Sequence, residues 1–129
     1  MKKPLIMSLA IVAISAIGLS SNVAMALTGE QLFKDCERCH TIEFGGRNKR
    51  GPNLNGVVGR AAGSVRNFRY SPALLESGLI WDEPTLDQWL NNPKEFLKGT
   101  KMKYWGLKNA EDRAAVIEYL KSSAVKTRF

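Results

Sequence analysis

Two cysteines and one histidine stand together at Cys36-Glu37-Arg38-Cys39-His40, and they are the only cysteines and the only histidine in the 129-residue chain. The spacing C-x-x-C-H has a mechanical meaning. Two thiols three residues apart can each add to one of the two vinyl groups of a porphyrin, and the histidine that follows directly is then held under the iron as an axial ligand. Three other chemistries use such residues. A structural zinc ion takes four ligands, and only three sulfur or nitrogen candidates are present here. A redox-active dithiol belongs at a βαβ unit, which this sequence does not offer. A disulfide between Cys36 and Cys39 gives His40 no task. The motif therefore points to a single covalent haem c, bonded to Cys36 and Cys39, with His40 on the metal.

An electron-transferring haem iron keeps a second axial ligand, and a soft thioether suits it. The chain has four methionines, Met1, Met7, Met25 and Met102. The first three fall in residues 1–26, which read as a secretory signal. Met1-Lys2-Lys3 is positive, Leu5 to Leu19 is apolar with small interruptions, and Ala24-Met25-Ala26 is a small-x-small cleavage site. The apolar run is shorter than the roughly 20 residues of a spanning helix, and no flexible tether follows it, so no permanent membrane anchor is expected. Met102 remains as the metal ligand of the mature domain, 27–129. Its setting, Lys98-Gly99-Thr100-Lys101-Met102, is a loop between helices that presents sulfur without helical geometry, and its flanking lysines argue against simple core filling.

The elements that must position these groups are few. Thr28 caps a helix from Gly29 to Cys36 with Leu32, Phe33 and Cys36 on one face. A long loop rich in glycine and asparagine runs from Phe44 to Gly63, the kind of length that is functional in a small domain. Ser71-Pro72 opens a short helix through about Glu76, and Asp82-Glu83-Pro84 opens another that runs to about Leu90 with Leu86, Trp89 and Leu90 inward. Asn92-Pro93 breaks it, and a turn of helix follows over 94–97. Asn109 to Asp112 resembles a cap, and a helix over 113–121 carries Val116, Ile117 and Leu120 at helical spacing. The class is all-α with long loops. Such short helices make a marginal core at this size, and a large apolar cofactor inside the fold would complete it.

Composition agrees. At 44% hydrophobic and 24% charged residues, the chain is an ordinary globule rather than a disordered one. Lys and Arg number 19 against 12 Asp and Glu, for a net charge of +7. Loss of residues 1–26 removes two lysines and no acid. A nucleic-acid role is disfavoured by export and by the lack of a compact basic stripe with interleaved aromatics.

With these residues in place, the chain resembles the class I c-type cytochromes, in the branch of mitochondrial cytochrome c and bacterial cytochrome c2. The resemblance covers Gly29 to Leu120. It rests on Gly29 and Phe33 ahead of Cys36-x-x-Cys39-His40, on Gly51-Pro52-Asn53-Leu54-x-Gly56-x-x-Gly59-Arg60, and then on Tyr70, Trp81, Asn92-Pro93, Gly99-Thr100-Lys101-Met102 and Tyr119-Leu120 in register. It implies the cytochrome c fold: short helices and long loops wrapped around one covalent haem, the first and last helices crossing. It implies that the Pro52 carbonyl accepts the Nδ1 proton of His40, and that Arg60, Tyr70 and Trp81 hold a buried propionate. Thr100 and Asn92 would position the methionine loop, and Phe33 and Gly29 would pack on Val116, Tyr119 and Leu120.

Two positions depart from the family's habit. Trp89 replaces a usual tyrosine beside the methionine sulfur, and Leu74 replaces a usual asparagine, so a smaller polar network near the iron is expected. The function implied is a monomeric, soluble, periplasmic carrier in a respiratory or related chain, not an enzyme. Its partners would be acidic redox proteins, such as a cytochrome bc1-type donor and an oxidase or reaction-centre acceptor. Lys49, Lys94, Lys101, Lys103 and Lys108 would ring the haem edge and steer them, although Asp35 departs from a lysine common in the mitochondrial branch. Two other functions are a dedicated acceptor for one periplasmic dehydrogenase, and a small haem peroxidase, which needs an open sixth position that Met102 would close.

Overall fold

The computed structural model describes residues 24–125, together with Lys2, Pro4 and Gly18. The expected export signal otherwise lies outside the described residues. Among the described residues five α-helices follow in order: α1 (Gly29–Phe33), α2 (Pro72–Glu76), α3 (Glu83–Asn91), α4 (Pro93–Phe96) and α5 (Ala110–Val125), with a 3-10 turn at Cys36–Arg38 after α1. Among the described residues there is no strand, only an isolated antiparallel bridge between Ala61 and Ile80.

Local chemistry sets the helix ends. Thr28 is extended, its Oγ1 accepts from Gln31 N at 3.2 Å, and Gln31 Oε1 accepts from Thr28 N at 2.9 Å, a reciprocal cap of two orphan amides. The α-helix stops at Phe33, three residues before the expected Cys36. Lys34 N donates to Gln31 O, three residues back, which tightens the turn, and a 3-10 turn carries the cysteines instead. Ser71 Oγ and Asp82 Oδ1 accept the amides of Leu74 and Thr85 at 3.2 and 2.8 Å to start α2 and α3.

Asn92 serves two helices. Its extended backbone, φ −163°, ends α3, and its side chain accepts from Glu95 N to begin α4 at Pro93. Asn109 Oδ1 accepts from Asp112 N at 3.0 Å, so α5 begins at Ala110, earlier than residue 113. It also runs past 121, where Ser122 and Ser123 bond back to the carbonyls of Tyr119 and Leu120 within the helix.

The first and last helices pack together as expected. Phe33 is fully buried and its ring lies 5.3 Å, centroid to centroid, from that of Tyr119 on α5. The core joins Phe33, Val57, Tyr70, Leu74, Trp81 and Leu86 to Trp89, Leu90, Val116, Ile117 and Leu120. Arg113 on α5 reaches Asp87 on α3 at 2.6 Å. The helices thus form a frame on which two long loops, 39–70 and 97–109, are hung.

Candidate haem-binding site

The 3-10 turn places the cysteines and the histidine by backbone bonding alone. Cys39 N and His40 N both donate to Cys36 O, at 3.0 and 2.9 Å. Both cysteines are half-buried and free of disulfide bonding. Burial first, and Asp35 second, push the Cys36 thiol up to about 11. That is opposite to the lowered thiol of a redox-active dithiol.

His40 is fixed by the carbonyl of Pro52. Its Nδ1 lies 2.7 Å from the carbonyl oxygen of Pro52. A carbonyl only accepts, so Nδ1 carries the proton and Nε2 is left as the basic nitrogen. Burial holds the imidazole below its ordinary pKa of 6.5, with Pro52 opposing and Lys49 assisting. The ring is therefore neutral at pH 7 and able to ligate a metal. Gly51 completes the cradle: a Cβ there would stand 2.2 Å from His40 Cε1.

Asparagine amides hold the loop that carries Pro52. Asn53 Nδ2 donates to Thr41 Oγ1 at 2.8 Å and Glu43 O at 2.9 Å, Asn48 Oδ1 accepts from Asn53 N at 2.9 Å, and Asn55 Nδ2 donates to Ile42 O at 3.0 Å. These residues were legible only as turn formers. Their amides replace the regular hydrogen bonding that a loop lacks.

Arg60, Tyr70 and Trp81 converge. Trp81 N donates to Arg60 O at 2.9 Å and Trp81 O accepts from Gly59 N at 2.7 Å, which sets the Arg60 and Trp81 segments side by side. The Tyr70 hydroxyl accepts from Val65 N at 3.2 Å. Burial raises the Tyr70 phenol, opposed by the Val65 bond and by the nearby Arg60 charge. The half-buried Arg60 guanidinium donates to Asn55 O at 2.9 Å and Asn53 O at 3.1 Å. Burial pulls its pKa down. Among the described residues no carboxylate pairs with it, which fits an anionic group supplied by a cofactor.

The methionine segment folds onto the same region. Thr100 Oγ1 accepts from Met102 N at 3.3 Å, and Lys101 Nζ reaches Tyr70 O at 3.4 Å. Met102 and Cys36 both pack against the core. Tyr104, two residues on, lies near enough to Cys36 and Asp35 that, after burial, they raise its phenol further. Asn92 acts one step removed, as the cap of the helix that leads into this segment. The two departures are core residues: the Trp89 ring lies tilted at 5.1 Å from Trp81 and edge-on at 6.3 Å from Phe96, and Leu74 is buried in the same cluster.

The lysines expected as a free ring are all exposed, yet four of them have partners. Lys49 Nζ bonds to Glu37 O, Lys101 to Tyr70 O and Lys108 to Asn91 O, while Lys94 lies over the Trp105 ring. The position of each is set by a main-chain carbonyl or a ring. Two residues escaped the pattern of the sequence. Arg113 sits on a helix whose exposed face is otherwise charged, and only its burial shows its role. Trp105 follows no periodicity.

The whole arrangement fits a covalent haem: two thiols on one turn, an imidazole with a fixed tautomer, a thioether on a segment bonded to the Tyr70 carbonyl, and a half-buried cation with no carboxylate among the described residues. Comparison with known proteins gives the same answer. The family model described as cytochrome c matches residues 26–124. The chain is 52% identical over 92 residues to a cytochrome c2 of Rhodomicrobium vannielii, covering 71% of this chain and 74% of that one. It is 48% identical over 96 residues to a cytochrome c of Gibberella zeae, covering 74% and 91%. Among solved structures, cytochrome cH from Methylobacterium extorquens superposes with a TM-score of 0.69 at 42% identity, over 73% of this chain and 94% of that one.

Proposed function

The chain belongs to the cytochrome c family, in the branch of mitochondrial cytochrome c and bacterial cytochrome c2, and on that premise we propose that it is a soluble, exported, single-haem electron carrier rather than an enzyme. Bound haem supplies one-electron storage as Fe(II) or Fe(III). The chain's own residues do the rest. Cys36 and Cys39 would tether the group through thioethers, His40, with its ring held by Pro52, would offer Nε2 to the iron, and Met102 would offer its sulfur. With His40 and Met102 both bound to it, the metal would be closed to substrate, which disfavours a peroxidase role.

Arg60, Tyr70 and Trp81 hold a propionate, and the Arg60 cation supports that role most directly because no other anion meets it among the described residues. Thr100 steadies the backbone at Met102. Residues 1–26 act as a signal removed after Ala26, which exports the carrier to the periplasm, where it works as a monomer. No helix among the described residues is long and apolar enough to cross a membrane. Donor and acceptor are acidic redox proteins, of the cytochrome bc1 and oxidase or reaction-centre kinds.

The observation that carries the proposal is the His40 Nδ1 to Pro52 O contact, because it orients the one nitrogen a haem iron needs. The test is optical. Purified holoprotein should be low-spin in both oxidation states, its pigment should resist acidified organic solvent, and the reduced form should ignore carbon monoxide. Met102→Ala should lose the weak thioether-to-iron band and gain carbon monoxide binding. Ready binding by the unaltered protein would refute the closed sixth position.

A further inference from the structure

Trp105 is 87% exposed, the most solvent-exposed aromatic side chain among the described large hydrophobics, and it stands three residues beyond Met102. The fold holds it out; slack in the chain does not. Gly106, the next residue, has φ +94°, and a Cβ there would stand 1.9 Å from Asn91 O. Leu107 N donates to Leu90 O at 2.7 Å, and Lys108 Nζ bonds to Asn91 O. Arg113 Nη1 takes the carbonyls of Leu107 and Lys108 at 3.0 and 2.9 Å. The segment after the ring is thereby fastened to the end of α3 and to α5. The ring itself lies 5.3 Å from Lys94 Nζ, a cation–π contact that orients it without covering it.

Lysines accompany this ring. Lys101, Lys103 and Lys108 are exposed on the same segment as Trp105, and Lys94 is above it. Other exposed apolar side chains, such as Phe44, Leu75 on α2 and Ile80, stand on other segments. A rigid tryptophan within a charged rim is the common form of a protein–protein hot spot: the indole supplies desolvated area at small entropic cost, and the rim supplies orientation and encounter rate.

We propose that Trp105 is the apolar anchor of the surface through which this chain meets its acidic redox partner. The ring enters an apolar pocket of that protein, and carboxylates around the pocket face Lys94, Lys101, Lys103 and Lys108. The inference rests on the electron-carrier function proposed above. It separates two contributions: the lysines govern a salt-dependent encounter, and the indole governs a salt-independent residence.

The experiment follows oxidation of the reduced holoprotein by the host's solubilised terminal oxidase, from low to high salt. Trp105→Ala should raise KM about 10- to 30-fold at unchanged kcat, by a factor that persists as salt rises, and Trp105→Phe should restore most of it. Lys94→Gln should raise KM at low salt only. The low-spin spectrum should be the same in every variant, and the rate with ferricyanide should be the same in both Trp105 variants, which separates docking from damage. An unchanged KM in Trp105→Ala, or an effect that salt abolishes, overturns the inference. So does Trp105-dependent cosedimentation with phosphatidylglycerol vesicles when KM is unchanged, since the ring is then a lipid contact. If the unaltered protein is oxidised by ferricyanide and not by the oxidase, the carrier function falls first and the inference with it.

Discussion

Replacing Arg113 with methionine isolates what one buried cation does for the loop that carries Met102. Arg113 is 9% exposed, and its guanidinium meets Asp87 Oδ1 at 2.6 Å, Asp87 Oδ2 at 3.5 Å, Leu107 O at 3.0 Å and Lys108 O at 2.9 Å. Methionine keeps the apolar stem and deletes every donor. The Asp87 side chain is 44% exposed and regains water, so its share is at most about 1 kcal/mol. Each carbonyl that loses a donor accounts for about 1 kcal/mol net. Relief of the guanidinium's own desolvation opposes both.

The expected loss is therefore about 2 kcal/mol, and since each kcal/mol moves Tm by about 4–8 °C in a domain of this size, Tm should fall by about 8–16 °C. Guanidinium unfolding of the oxidised holoprotein, followed by far-ultraviolet circular dichroism, measures it. Asp87→Asn, which keeps the carbonyl bonds, should lose less than about 1 kcal/mol. If Asp87→Asn proved as damaging as Arg113→Met, the ion pair rather than the carbonyl clip would hold the loop, and the reasoning would be refuted.

Three further outcomes are expected. Phe33→Ala removes a fully buried ring from the contact of α1 with α5 and should destabilise the protein by about 3–5 kcal/mol in the same unfolding assay. Gly51→Ala drives a Cβ into the His40 ring. It should sharply lower the yield of low-spin holoprotein, read as the Soret absorbance per polypeptide. The third concerns pH. Hydrogen bonds with Thr85, side chain first and amide second, hold the Asp82 carboxyl below its ordinary 3.8. A lowered carboxyl contributes stability above its unfolded pKa and loses it as pH falls through the folded value. Asp82→Asn should flatten the acid limb of the stability curve below about pH 4, and an unchanged limb would remove Asp82 from the account.

Helix starts were legible because a cap is a local bond: Thr28, Ser71, Asp82 and Asn109 each serve an amide three residues away. Helix ends were less so. The shift from α to 3-10 bonding after Phe33 depends on which carbonyl Lys34 N reaches, and no residue type announces that. The lysines near the methionine were visible as charge, while their tethering to Glu37, Tyr70 and Asn91 carbonyls was not.

By itself the sequence determined the chemistry: one C-x-x-C-H turn, one methionine outside the leading segment, and therefore one covalent haem with two ligand candidates. Those follow from residue type and spacing along a few bonds. Tertiary structure alone decided that Arg60 is a half-buried cation without a carboxylate among the described residues, that Arg113 clips the distal loop across 26 positions to Asp87, and that Trp105 is held in water rather than in the core. The reason is that burial and long-range pairing depend on which distant segments meet, a quantity summed over the whole chain and carried by no single stretch of it.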